Sequence, residues 1–69
     1  MIETKAQFLK AYHEIQAITG WKDGRIAKKA GIHRATLYRL LTMPDREPKD
    51  TVMRGMHEAL IYARGLKAK

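Results

Sequence analysis

Residues 23–42 read DGRIAKKAGIHRATLYRLLT, and this stretch decides the fold. It holds two short apolar-periodic segments with a glycine between them. Ile26, Ala27 and Ala30 recur at helical spacing in the first, and Leu37, Leu40 and Leu41 in the second. Gly31 falls at the break, where the chain needs a residue that tolerates positive φ. Two helices joined by so few residues cross steeply and pack closely, as a helix-turn-helix does. Such a crossing needs a small residue in the first helix, and Ala27 supplies it. Leu37, six residues after Gly31, is the aliphatic side chain that points back into the crossing. Ile26, Ala30, Ile32 and Leu40 fill the remaining inward positions.

The flanks extend this reading. Upstream, the spacing predicts a helix over 4–19. Thr4 and Gln7 have capping-box spacing, and Phe8, Tyr12, Ile15 and Ile18 form one apolar face. Gly20 is expected to stop this helix in a left-handed conformation. Trp21 follows in the connection as a cap on the core, and Asp23 is the expected N-cap of a helix over 23–30. The next helix is predicted over 34–42. Pro44 and Pro48 mark 43–49 as a loop. Asp50 is expected to cap a fourth helix over 51–64, on which Val52, Met56, Leu60 and Ala63 face inward. Gly65 is expected to end it and leave 66–69 as a frayed tail. Met43, Met53 and Met56 are expected to pack, and Tyr12 and Tyr62 to lie in the core or an interface. The expectation is one compact all-α domain over 1–69, with four to five helices and 23–42 at its centre.

Bulk composition bounds the function. The chain has 69 residues and no cysteine, which excludes disulfides and thiolate zinc sites. Fourteen Lys and Arg against seven Asp and Glu give a net charge of +7. So basic a small domain points to a polyanionic partner, most commonly nucleic acid. No apolar run approaches the roughly 18 residues of a membrane helix. The N-terminus lacks the layout of a signal peptide, so a cytoplasmic location is the expectation. Nothing resembles catalytic machinery: the chain has no Cys or Ser nucleophile, no Gly-rich phosphate loop after a strand, and no carboxylate pair in an apolar setting. The protein is therefore expected not to be an enzyme and to use no cofactor. His13, His33 and His57 lack metal-site spacing, so no metal is expected.

Charge is concentrated in the decisive stretch. Six Lys and Arg lie between Lys22 and Arg39, against one acid, Asp23. On the third helix Arg34, Ala35, Tyr38 and Arg39 point away from Leu37 and Leu40. Arginine can bond guanine bidentately in the major groove, and an alanine or threonine methyl can contact thymine.

Ala27, Gly31 and Leu37, with GIHRATLYRLL at 31–41, resemble the Cro/phage-repressor (lambda-repressor-like, XRE) helix-turn-helix family. The preceding amphipathic helix, the loop with Pro48 and DTVMRGMHEAL at 50–60 match that family's layout, so the resemblance spans about residues 8–60. GIHRATLYR at 31–39 also resembles the Fis/NtrC-type helix-turn-helix; both families bind DNA. Two features depart from the first family. His33 stands where it often has Ser or Thr, and its usual fifth helix is missing or fused into the fourth.

The resemblance implies a third helix in the major groove, with base contacts from Arg34, Ala35, Thr36, Tyr38 and Arg39. It implies phosphate contacts from Lys22, Arg25 and Lys28 at the second helix, and from Arg46 and Lys49 in the following loop. His33 either caps its helix or reaches a phosphate. Leu60, Ile61, Tyr62 and Leu66 offer more apolar surface than one helix face needs. They either cover the first helix or form a two-fold interface, and the interface, hence a homodimer, is the preferred reading. The function implied is a sequence-specific double-stranded DNA-binding transcriptional regulator, a dimeric repressor of phage or mobile-element type acting on an inverted repeat and controlling its own operon. Two rivals keep the DNA function: the antitoxin of a toxin–antitoxin pair, and an architectural or recombination-directionality protein that bends DNA. A general RNA binder is disfavoured by the sparse aromatics.

Overall fold

The computed structural model describes residues 2–68. Met1 and Lys69, the ends of the expected domain, lie outside them. Among the described residues there are four helices and no strand: α1 (Lys5–Thr19), α2 (Asp23–Ala30), α3 (Arg34–Thr42) and α4 (Asp50–Lys67). None is long and apolar enough to cross a membrane.

The first helix starts where its capping box predicts. The Thr4 hydroxyl accepts from the Gln7 backbone N–H at 3.2 Å, and the Gln7 side-chain Oε1 accepts from the Thr4 N–H at 3.1 Å. Both bonds satisfy backbone donors that have no partner inside the helix. At the other end Gly20 takes φ 70° and donates its N–H to Gln16. The Thr19 hydroxyl donates to the Ile15 carbonyl and accepts from the Trp21 N–H, which fixes the turn into α2.

Gly31 ends α2 at φ 71°, in the left-handed region that costs a side chain about 1–2 kcal/mol. Its N–H bonds the Lys28 carbonyl, and the Ile32 N–H bonds Ala27 at 2.9 Å, the Schellman closure. Backbone bonds thus carry the chain from α2 to α3 across residues 31–33.

The core gathers one large, fully buried side chain from each of α2, α3 and α4, Ile26, Leu37 and Met56, with Phe8 and Ile15 from α1. Fully burying a side chain of this kind contributes about 1.5–3 kcal/mol. The most extensive packing is between α1 and α4, and α4 also crosses α2. At Gly55, α4 lies so near α2 that a Cβ would overlap the Ala30 carbonyl oxygen. By contrast, α3 packs chiefly on α2. Its far end is tied to α1, because the Lys5 ammonium donates to the Met43 carbonyl at 2.6 Å and to Pro44 at 3.2 Å.

Several expectations need correction. Asp23 and Asp50 are the first helical residues rather than N-caps; Lys22 and Lys49 hold the cap positions without a side-chain bond. Both carboxylates still sit in a first turn, where the helix dipole favours negative charge. Gly65 does not end α4, which runs on to Lys67. A glycine stops a helix by turning left-handed, and of the described glycines only Gly20 and Gly31 have positive φ. Just before Gly65, Arg64 meets Glu14 of α1 as a two-pronged ion pair, with bonds of 2.6 and 3.1 Å. That hydrogen-bonded guanidinium holds the Glu14 carboxyl below its usual range. Met43 does not pack but is 48% exposed at the end of α3, where its carbonyl serves as the Lys5 acceptor.

The buried Tyr12 adds a polar pin between α1 and α2. Its hydroxyl donates to the Asp23 carboxylate. Burial first, and then the adjacent carboxylate, push the phenol up from 10.0 to about 12. The folded state therefore favours the neutral phenol. This stabilisation is complete below pH 10 and is lost as the pH rises from there through about 12. Denaturant titrations across that window are expected to show falling stability. Tyr12→Phe should flatten the fall and cost about 1.5–3 kcal/mol at neutral pH, the range for a hydrogen bond to a charged group. An unchanged alkaline profile in Tyr12→Phe would show that the pin contributes nothing.

Candidate nucleic-acid interface

The periodicity of α3 divides it into two faces. Leu37 and Leu40 are buried, whereas Arg34, Ala35, Tyr38 and Arg39 are exposed. Arg34 and Tyr38 are four residues apart, as are Ala35 and Arg39, so the exposed side chains form two adjacent rows along one side of the helix. Tyr38 is the most open of the large apolar side chains, at 64%. Thr36 is half-buried and lies at the margin of this face. His33 stands exposed at the N-cap position, and its ring makes no capping bond.

Arg34 is the exposed α3 residue whose place is tied to another element. Its Cδ and Nε lie 3.8 and 3.9 Å from where a Cβ on Gly24 would stand. The bare glycine in the first turn of α2 thus gives the arginine stem a flat place to lie.

The outer face of α2 continues the positive charge. Lys22, Arg25, Lys28 and Lys29 are all exposed, opposite the buried Ile26, Ala27 and Ala30. The one acid in this stretch, Asp23, is turned to α1 by Tyr12 and does not interrupt the row. Arg25 lies 4.6 Å above the Trp21 ring, and the Lys29 ammonium lies 3.6 Å from the Tyr62 ring centre. Trp21 and Tyr62 are themselves stacked, with centres 6.1 Å apart. Cations above ring faces are attracted by the π quadrupole, so this aromatic shelf orients two basic side chains. The shelf was missed in the sequence. Lys29 lay in plain view as one more surface lysine, but Trp21 and Tyr62 belong to different helices' surroundings and only the fold joins them.

Arg46 and Lys49 are exposed on the loop after α3. Lys5 anchors the start of that loop to α1.

The four side chains expected at an interface do not form one patch. Leu60 is core, at 7% exposure. Ile61, Tyr62 and Leu66 are exposed. Adjacent helical residues are turned by about 100°, which sends Ile61 to a different side from Tyr62. Tyr62 lies with Trp21 and Lys29, and Leu66 lines a groove with Trp21.

The chain matches no family model, no curated protein and no solved structure.

Proposed function

We propose that this protein is a sequence-specific double-stranded DNA-binding transcriptional regulator of helix-turn-helix type, with α3 as the recognition helix. The activity is binding alone, with no catalytic step. The observation that carries this reading is the two-sidedness of α3. Leu37 and Leu40 are buried in the core, while Arg34, Ala35, Tyr38 and Arg39 stand free beside a row of cations that no acid interrupts. In this reading the exposed α3 side chains meet base edges, and Lys22, Arg25 and Lys28 meet phosphates. Phosphate contacts set position and affinity, and base contacts set sequence preference. Acting as a dimer on an inverted repeat, the protein represses by occupying a promoter.

Selection of bound duplexes from a random library tests this directly. Two half-sites with centres about 34 Å apart, one turn of DNA, are expected. Binding without a motif would favour a DNA-bending architectural protein instead, and no binding would remove the reading altogether. Within a recovered site, Arg34→Ala should cost about 1–3 kcal/mol at one base pair and relax preference there. Lys28→Ala should weaken specific and random duplexes alike and shallow the salt slope by about one unit. Equal losses on specific and random duplex for Arg34→Ala would take away its base-reading role.

A further inference from the structure

Trp21 stands between two shallow grooves on one side of the molecule. The first is mainly apolar, lined by Ala17, Ile18, Trp21 and Leu66, with Thr19, Glu14 and Lys67 at its polar part. The second is basic, lined by Arg25, Lys28, Lys29 and Tyr62 with Trp21 again at the border. Tyr62 and Leu66 are 44% and 39% exposed, a combination of aromatic and aliphatic surface open to solvent. The single carboxylate on either lining, Glu14, is already bonded to Arg64.

Three occupants compete for such a face, and charge and apolarity separate them. A second copy meeting it by two-fold symmetry would bring Arg25, Lys28 and Lys29 of both subunits into one interface with no free carboxylate to pair with them, because such an interface uses the same patch on both subunits. Duplex DNA would satisfy the cations but offers only scattered thymine methyls and sugar edges to Ile18 and Leu66, where the gain scales with the apolar area removed from water. A protein segment with both characters satisfies both grooves. We propose that this face docks a partner protein through a segment carrying acidic side chains beside aliphatic or aromatic ones. The apolar side chains fill the Ile18–Leu66 groove, and the carboxylates meet Arg25, Lys28 and Lys29. The inference stands independently of the DNA reading, although the two share Arg25 and Lys28.

The test is selection of short random peptides on the intact chain, followed by titration of tryptophan-free winners against the fluorescence of Trp21, the only tryptophan. Winners are expected to combine Asp or Glu with large apolar residues and to shift Trp21 emission saturably. Lys29→Glu and Leu66→Glu should each weaken them about tenfold or more, roughly 1.4 kcal/mol. Lys10→Glu on α1, the same change of net charge as Lys29→Glu and a larger one than Leu66→Glu, should leave affinity within twofold, with folding of all three variants checked by circular dichroism. Absence of enrichment would overturn the proposal. So would winners that are merely acidic and indifferent to Leu66→Glu. A Trp21 shift produced by duplex DNA and not by peptide would make nucleic acid the occupant. A Trp21 shift that follows protein concentration and self-association would make it a second copy. Each of these failures leaves the duplex selection above free to succeed.

Discussion

Gly55→Ala is expected to abolish most of the stability of the fold. A Cβ at this position would overlap the Ala30 carbonyl oxygen and stand 3.1 Å from its carbon. The obstacle is backbone, so no rotamer change relieves it; α4 must back away from α2 instead. Overpacking usually costs about 1–3 kcal/mol and more where the surroundings cannot yield. Here the cost should reach the upper end or beyond, because Met56, Ala59 and Ala63 move with the same helix. Alanine's better helix propensity returns only about 1 kcal/mol. A domain of this size has about 3–10 kcal/mol to lose, at roughly 0.05–0.15 kcal/mol per residue. Gly65→Ala supplies the matched comparison on the same helix. Nothing lies within 4 Å of a Cβ there and φ is not positive. That variant should gain up to about 1 kcal/mol, raising the melting temperature by about 4–8 °C per kcal/mol. Thermal melts of the two variants therefore move in opposite directions. Equal shifts would mean that α4 does not approach Ala30 this closely.

Leu37→Ala is the second large effect, and it falls on one helix. Leu37 is fully buried, and α3 packs chiefly on α2. Truncating a buried leucine costs about 2–5 kcal/mol. With few other contacts to hold it, α3 should open before the rest of the molecule. Amide hydrogen exchange is expected to accelerate across α3 while α1 and α4 keep their protection relative to it. Uniform acceleration over all four helices would show that α3 is no separate unit. Under the proposed function, duplex binding should fall together with α3 protection, for specific and random sequences alike.

What could be read from the chain divides along the range of the interactions concerned. The Thr4–Gln7 box, the Gly20 and Gly31 stops and the apolar faces are local, and each depends on residues within about one turn. All of these stand in the fold. Gly65 shows the opposite case: glycine is permitted to stop a helix, but whether it does depends on its φ, and here the helix continues past it to Lys67. Asp23 was legible as a residue belonging to a helix start, yet its bond to Tyr12 spans two helices. Gly55 carried no signal at all, because its need arises from the Ala30 backbone on another helix. The exposed residues of α3 were legible through the buried Leu37 and Leu40 opposite them. The Trp21–Tyr62 shelf was not, since the two rings are brought together only by the crossing of α4. Leu60 was misassigned to a partner surface because one helix can present apolar side chains both inward and outward, and sequence spacing alone does not say which neighbour covers each.

The turn between α2 and α3 is closed by main-chain atoms, through Gly31 to Lys28 and Ile32 to Ala27. Neither bond involves a side chain of the exposed face. Ala35, Tyr38 and Arg39 therefore take no part in setting the angle at which α3 is presented, and exposed substitutions of this sort usually alter stability by no more than about 0.5 kcal/mol. The molecule thus separates presentation from content. Under the proposed function, its outward lettering can be rewritten by successive single changes while the mount stays fixed, and a descendant chain could acquire a new preference without first passing through an unstable form.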